Sequence, residues 1–318
     1  MDAWIVGQAI INGIMTGGVY SLVGVGMTII FGVMKMVNFA AGAYMVWGMY
    51  FTYFWQLALG GTISPYLLIP LVVLSMIIFG YISFKLTLRR VLGTSDTSYI
   101  LITVGLMFFL TNLAETILGT KTLSVYVPET YKIGSFTVHE LLAAIVPSLA
   151  DNPALLASPL SSLNFGYPRL ISFGAMLLLV LGVNILLNKT LLGRAMRATA
   201  ENNEVAKMLG IDAERIYTIA FILGVTMAAM AGLFVTPLYY VSISASVAFR
   251  TAPLMVIVLG GLGNIKGAFY GGILVGVVES LVTTLIDTQL SVASISILFL
   301  IVVYLRPQGL LGKKMRTA

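Results

Sequence analysis

The sequence predicts an all-α integral membrane protein, a polytopic helical bundle of about 8–10 transmembrane helices. Hydrophobic residues make up 59% of the 318 residues and charged residues only 9%, and the mean hydropathy is +1.01. Water-soluble domains carry about 25% charged residues, so this chain has too few charges to cover a surface in water. Helices suit lipid because each one satisfies its own backbone hydrogen bonds.

Apolar stretches near the length of a membrane-spanning helix, about 20 residues, recur along the chain. They occupy residues 4–33, 40–58, 64–86, 99–118, 168–188, 216–237, 252–263, 268–286 and 291–305. The first is long, and Gly17-Gly18 is a candidate break within it. It lacks the basic start of a cleavable signal, so we expect it to be retained. The stretch 252–263 is short, which predicts a half-helix or a re-entrant segment.

Most basic residues cluster in three gaps between the apolar stretches. They are Lys85, Arg89 and Arg90; Lys189, Arg194, Arg197, Lys207 and Arg215; and Arg306, Lys313, Lys314 and Arg316. The positive-inside rule places all three gaps in the cytoplasm. The C-terminus is then cytoplasmic and the long gap 119–167 faces outward. The net charge of +6 therefore indicates membrane lipid, and not nucleic acid, as its surroundings.

Composition and motifs exclude several kinds of active site. There are no cysteines and one histidine, His139, which excludes disulfides, thiol catalysis and Cys- or multi-His metal sites. The chain has no G-x-S-x-G or H-E-x-x-H motif, which argues against a membrane enzyme, and no G-x-x-x-x-G-K-[ST] loop for ATP. We expect no metal, no cofactor and no enzymatic activity.

Glycine is abundant in the spans, and several glycines are four residues apart. Gly13 and Gly17 form one such pair, and Gly272 and Gly276 form another. This spacing puts small residues on one helix face, where two backbones can approach closely. We therefore interpret these glycines as helix-packing positions, with a glycine-lined solute path as the alternative.

The segment 189–215 is polar, in contrast to its apolar flanks. Its pattern predicts two short helices with a kink at 201–203, where an asparagine caps the second helix and Gly210 ends it. One apolar face is predicted, made of Val205, Met208 and Leu209. The segment is either a solvated or headgroup-bound loop or a docking element for a soluble partner, and its many alanines favour docking.

Four motifs, in order along the chain, carry a family resemblance. They are VNFAAGAYMVWGMY at 37–50, GRAMRATAENNEVAKMLGI at 193–211, VLGGLGNIKGAFYGG at 258–272 and RPQGLLG at 306–312. They resemble motifs of the LivH/LivM-type permeases of branched-chain amino-acid importers driven by ATP-binding-cassette (ABC) ATPases. The resemblance covers nearly the whole chain, which is then a single permease domain, 1–318.

The resemblance implies a transport complex in a bacterial-type inner membrane. Its other parts would be ABC ATPase subunits, which hydrolyse the ATP, a second permease subunit, homologous or identical, and an external solute-binding protein. The segment 189–215 would be the ATPase-coupling loop. The residues implied in coupling are Arg194, Arg197, Glu201, Glu204, Lys207 and Gly210. The implied solute is a branched-chain amino acid, with urea, amides or aromatic acids as alternatives.

Three polar residues in or beside the spans are candidates for the translocation pathway or its gate: Asn38, Asn112 and Glu279. An ionisable group inside a span is costly, and is a functional-site hypothesis by default. Structural hydrogen bonding is the alternative for each. A stand-alone ion-coupled transporter would have clusters of carboxylates at mid-membrane. In this sequence, Glu279 is the one carboxylate that clearly lies inside a span. A purely structural membrane protein also stays open.

Overall fold

Helices dominate the computed structural model, which describes residues 3–119, 121–128, 135–137 and 163–312. In chain order the helices are α1 (Ala3–Met34), α2 (Ala41–Ala58), α3 (Ile69–Leu86), α4 (Asp96–Leu118), α5 (Tyr167–Lys189), α6 (Leu191–Glu201), α7 (Asn203–Met208), α8 (Ala213–Val235), α9 (Ser244–Gly260), α10 (Ile265–Leu285) and α11 (Ser291–Leu305). Two short strands, β1 (Ser135–Thr137) and β2 (Asn164–Gly166), pair antiparallel with Ser135 opposite Gly166. The predicted helical class is confirmed.

Seven helical segments of the described chain are long and apolar enough to cross a membrane. They are Trp4–Met34, Pro65–Val91, Thr97–Leu118, Tyr167–Lys189, Ala213–Val235, Ile265–Leu285 and Thr288–Leu305. The α2 helix has 18 residues and α9 has 17, and both run between the two ends of the bundle. The seven are one fewer than the lower end of the predicted range of about 8–10, and the number becomes nine when α2 and α9 are counted as crossings.

The first span is one continuous helix, so the predicted break at Gly17-Gly18 is wrong. The α1 helix runs unbroken for 32 residues. A Cβ atom on Gly17 would lie 2.7 Å from the Cα of Ile273, and one on Gly13 would lie 2.5 Å from the Cα of Val277. These glycines therefore let the α10 backbone approach α1, which confirms the packing interpretation. The same contact leaves no room for a solute path along this face.

Hydroxyl groups reinforce the contact between α1 and α10. Ser21 Oγ donates to the Phe269 carbonyl at 2.7 Å, across a sequence separation of 248 residues. Ser280 Oγ donates to the Ala9 carbonyl, also at 2.7 Å. Because α10 runs antiparallel to α1, these two bonds fix the pair at well-separated levels.

The helix α9 is longer than its apolar run. Residues 252–263 were predicted to be a half-helix or a re-entrant segment, but they include only the second half of a helix that begins at Ser244. Pro253 lies inside this helix. The helix ends at Gly260, and the glycine-rich turn that follows leads directly into α10.

Contacts at one end of the bundle connect the three basic gaps. Arg89 Nε lies 2.6 Å from Glu214 Oε1, which joins the α3–α4 connection to the first turn of α8. The C-terminal segment packs on the turn before α10, where Asn264 Nδ2 donates to the Leu311 carbonyl at 2.7 Å. Arg197 and the C-terminal segment line the same cleft. The basic gaps therefore share one end, as the charge pattern predicts.

The opposite end holds the described parts of the gap 119–167. The Gln56 side chain bridges the Tyr126 backbone, donating to its carbonyl at 2.8 Å and accepting from its amide at 2.7 Å. Leu123 and Val241 form an antiparallel bridge. Most of the remaining gap, including His139, lies outside the described residues.

The helices α1 and α8 form the centre of the bundle, since most of their residues are buried. Around them, the helices keep one apolar face exposed, with Leu101, Leu178 and Leu300 each about two-thirds exposed. Such faces are stable in contact with lipid chains and not with water. The packing therefore agrees with a bundle whose outer surface meets a membrane.

Candidate functional site

The segment between α5 and α8 folds as a capped pair of short helices, α6 and α7. Asn202 separates them, and its Oδ1 accepts from the amides of Glu204 and Val205 at 3.0 and 3.1 Å. The second helix ends at Met208, and Gly210, two residues further on, has a φ of +81°. There the Ile211 amide donates back to the Ala206 carbonyl at 3.0 Å, as in a Schellman cap. The predicted pair, its kink and its caps are confirmed.

The helix pair is seated firmly against the end of α5. Thr190 Oγ1 accepts from the Gly193 amide at 3.2 Å and so caps α6. A side chain at Gly193 would collide with the Leu187 carbonyl, so only glycine fits there. Met196 is 1% exposed and Ala206 is also buried. Each helix of the pair therefore anchors one face in the permease-like bundle and leaves the other free.

The free face carries both charged and apolar side chains. The charged ones are exposed: Arg194, Arg197, Glu201, Glu204 and Lys207. The predicted apolar set also points outward, since Val205 is 48% exposed, Leu209 73% and Met208 85%. Exposed apolar groups bounded by charges are typical of an interaction surface.

Asn38 is a buried amide in the connection between α1 and α2. Its side chain is 1% exposed. Its Oδ1 accepts from the Ala40 amide at 3.1 Å, which braces the start of α2. Its Nδ2 has no hydrogen-bond partner in the described chain. An unpaired buried donor lowers the stability of the folded state by about 1–3 kcal/mol. The oxygen of Asn38 therefore has a structural role, while its nitrogen is unsatisfied.

Glu279 lies on α10, and its carboxyl lies near the hydroxyl of Tyr20 on α1. Its Oε2 is buried without a partner among the described residues. Tyr20 in turn packs against Phe249, with ring centroids 5.8 Å apart. The described partner of this carboxyl is thus a phenol and not a cation.

Asn112 lies on an exposed face of α4. Its Nδ2 donates to the Phe108 carbonyl of its own helix at 2.8 Å, which satisfies the amide locally. No hydrogen bond in the described chain joins Asn112 to Asn38 or Glu279. The three pathway candidates therefore occupy separate places: an outer face, the α1–α2 connection and the α1–α10 contact.

Residues 9–305 match the family model described as branched-chain amino acid transport system / permease component. The chain belongs to this permease family. The match begins within α1 and ends with α11, and it includes the segment 193–211, one of the motifs that carried the resemblance.

Several curated proteins resemble this permease from end to end. The high-affinity branched-chain amino acid transport system permease protein BraD of Pseudomonas aeruginosa is 27% identical over 315 residues, covering 96% of this chain and 95% of BraD. LivH of Escherichia coli K12, which carries the same description, is 27% identical over 317 residues, with the same coverages. A probable branched-chain amino acid transport permease protein LivH of Methanocaldococcus jannaschii is 28% identical over 271 residues, covering 82% and 76%. No solved structure matches the chain.

A basic cleft at the loop end of the permease was not predicted. Its volume is about 770 Å³, and it lies between the ends of α1 and α5, the helix α6, the turn before α10 and the C-terminal segment. Lys35, Arg197 and Lys266 line it. The charge pattern placed Arg197 on the same side as the other basic gaps, but no local signal predicts that these three residues converge.

Lys35 adopts a backbone conformation that favours glycine. It directly follows α1, and its φ is +57°. Helices commonly end in this left-handed conformation with glycine, because other residues pay a steric cost of roughly 1–2 kcal/mol. The strain at Lys35 is visible only in the structure, so the sequence alone does not mark the cleft.

No group of three or more His, Cys, Asp or Glu side chains suited to a metal ion occurs in the described part of the permease. The positions 129–134 and 138–162 lie outside that part.

Proposed function

We propose that this permease is the membrane-spanning subunit of an ABC importer that moves branched-chain amino acids inward across a bacterial-type inner membrane. The observation that carries this proposal is the family match over residues 9–305. BraD and LivH, which align over 95% of their lengths, are named for the transport of those amino acids.

The exposed face of α6 and α7 is the proposed docking site for the ABC ATPase, which would hydrolyse the ATP. Arg194, Arg197, Glu201, Glu204 and Lys207 supply charges there, and Gly210 sets the end of α7. Exposed Met208 supplies an apolar contact. Because Gly193 and Met196 seat α6 against the bundle, movement of the docked ATPase would reach the membrane helices through them.

The end of the bundle with the basic gaps is proposed to be cytoplasmic, with the C-terminus on the same side. Positive charges prefer that side during insertion, and an ATPase requires it. The segment 119–167 then faces outward, toward a solute-binding protein. A second permease subunit, homologous or identical, would complete the membrane part by packing against an exposed apolar face of this chain.

The translocation pathway is proposed to involve Asn38 and Glu279, with Asn112 at a subunit contact. Asn38 Nδ2 and Glu279 Oε2 are buried polar atoms without partners in the described chain, so they are available to a solute or to a changed helix arrangement. Asn112 is exposed on α4, where only a neighbouring subunit could make it part of a pathway.

The test is to purify the tagged permease from gently solubilised membranes and to identify the proteins that accompany it by mass spectrometry. We expect an ABC ATPase and a second permease. The complex, reconstituted into vesicles with the binding protein, should then import radiolabelled leucine only when ATP is present on the ATPase side. Leucine uptake by this chain alone, without ATP, would contradict the proposal.

A further inference from the structure

Lys35 and Lys266 of the basic cleft at the loop end have no part in the proposed transport cycle, whereas Arg197, which also lines the cleft, belongs to the proposed docking face as well. We propose that the cleft binds an acidic phospholipid of the surrounding membrane, with the headgroup phosphate held by Lys35, Arg197 and Lys266. Binding of lipid requires neither the ATPase nor a solute, so it stands or fails separately from the proposed transport function.

The charge of the cleft fits an anion. Three cationic side chains line it, and none of the side chains lining it is a carboxylate. Lys35 and Lys266 make no salt bridge within the described chain, where the two salt bridges involve Arg89 and Arg215. Amide groups of Asn184 and Gln308 also line the cleft and add hydrogen-bond donors. Phosphate oxygens are good acceptors for such charged and amide donors.

The position of the cleft fits a lipid and not a free anion. Two of its three cations lie at the ends of membrane-crossing helices: Lys35 directly follows α1, and Lys266 is in the first turn of α10. Because α1 and α10 cross the membrane, these ends lie at headgroup depth. Apolar side chains, including Phe31, Leu187 and Val258, also line the cleft and can contact acyl chains. Basic pockets between membrane helices on the cytoplasmic side suit acidic headgroups.

Two further observations point to a ligand. The Thr28 side chain lines the cleft, is 1% exposed, and its hydroxyl has no hydrogen-bond partner in the described chain. The backbone of Lys35 is in the left-handed conformation, in which a glycine would be unstrained but a lysine is not. Strain of this kind is retained at sites where the side chain has a function.

A bound lipid would touch the helix pair as well as the membrane helices. Arg197 belongs to α6, and it also donates a hydrogen bond to the Leu187 carbonyl at the end of α5. The headgroup would therefore neutralise a charge at the joint between α5 and α6. The acidic lipid content of the membrane would then influence how α6 is held.

The experiment titrates the delipidated, full-length permease in detergent with dioleoyl phosphatidylglycerol or dioleoyl phosphatidylcholine and counts bound lipid by native mass spectrometry. Phosphatidylglycerol should bind more tightly. Each cation near an anionic headgroup contributes a factor of roughly five, so the double variant Lys35→Gln/Lys266→Gln should lose roughly 25-fold in affinity. The single variant Lys266→Gln, which leaves the strained position intact, should lose roughly fivefold.

The matched control is Lys85→Gln/Arg90→Gln, which removes the same charge from exposed residues at the same end but outside the cleft. It should keep the affinity of the unmodified chain. Equal losses in both pairs would indicate diffuse surface charge and overturn the proposal. So would equal binding of phosphatidylcholine, or inorganic phosphate that binds at the same cations as tightly as the lipid does.

Discussion

Arg89 and Glu214 form a salt bridge that joins two basic gaps lying far apart in the sequence. The guanidinium Nε is 2.6 Å from the carboxylate, and both side chains are about half exposed, at 49% and 48%. Glu214 begins the helix that follows the α6–α7 pair. The contact therefore ties the α3–α4 connection to the base of the proposed coupling element.

Breaking this salt bridge should cost little stability. Because both groups are half exposed, water screens their attraction, and Glu214→Gln should lower the free energy of unfolding by no more than about 1 kcal/mol. Thermal unfolding of the purified variant measures this. The charge-reversed pair Arg89→Glu/Glu214→Arg should recover the loss. A loss above about 3 kcal/mol would instead indicate a buried pair.

Gly17→Ala should destabilise the permease because its methyl group would collide with the α10 backbone at Ile273. Overpacking of this kind costs about 1–3 kcal/mol. The matched control is Gly182→Ala on α5, where no atom lies within 4 Å of the added Cβ, and alanine should gain up to about 1 kcal/mol. Equal melting temperatures for the two variants would contradict close α1–α10 packing.

Met208→Glu should weaken capture of the ATPase without unfolding the chain. Met208 is 85% exposed, so the substitution changes the docking face and not the core. Losing an apolar anchor at an interface costs about 1–3 kcal/mol, or roughly 5- to 150-fold in affinity. Co-purification with the ATPase measures this. The control is Leu311→Glu, because Leu311 is an exposed apolar residue at the same end of the bundle. This variant should still co-purify with the ATPase.

Asn202→Ala should loosen α7 because it removes the acceptor for two backbone amides. The loss of an N-cap costs about 1 kcal/mol, which should appear as faster amide hydrogen exchange at Glu204 and Val205. Asn202→Asp keeps an acceptor of similar quality and should restore slow exchange. If the alanine and aspartate variants showed the same exchange rates at these amides, the Asn202 cap would not be the contact that stabilises α7.

Glu279→Gln should separate a transport role from a structural one. The carboxamide keeps an acceptor for the Tyr20 hydroxyl but removes the ionisable group, so the melting temperature should stay close to that of the unmodified permease. If Glu279 serves the pathway, leucine uptake should fall at least tenfold, a barrier increase of about 1.4 kcal/mol. Unchanged uptake in a stable variant would leave the residue with structural hydrogen bonding alone.

Local sequence signals predicted those features that local contacts determine. The apolar stretches specify the crossing helices because each helix forms its own backbone hydrogen bonds and its side chains need contact only with lipid. The caps of α7 were also predictable, since Asn202 and Gly210 act on amides and carbonyls within a few residues. Counting the membrane passes between the three basic gaps places them at the same end of the bundle, and this requires no knowledge of how the helices pack.

Features that depend on distant partners could not be predicted in the same way. The spacing of Gly13 and Gly17 predicted a packing face, but it could not name Ile273 and Val277 of α10 as the partners. The start of α9 was missed because the helix extends beyond its apolar run, to Ser244. The partner of Glu279 is a tyrosine near the other end of the chain, and Lys35, Arg197 and Lys266 meet through tertiary packing alone.

The pairing of α1 with α10 has a consequence for how the permease is made. The glycine face of α1 receives its partner only after α10 has been synthesised, as the separation of 248 residues between Ser21 and Phe269 requires. Until then, the insertion machinery or lipid must shield that face. The pair therefore forms long after α1 has left the ribosome, and a chain that stops before α10 leaves α1 without this partner.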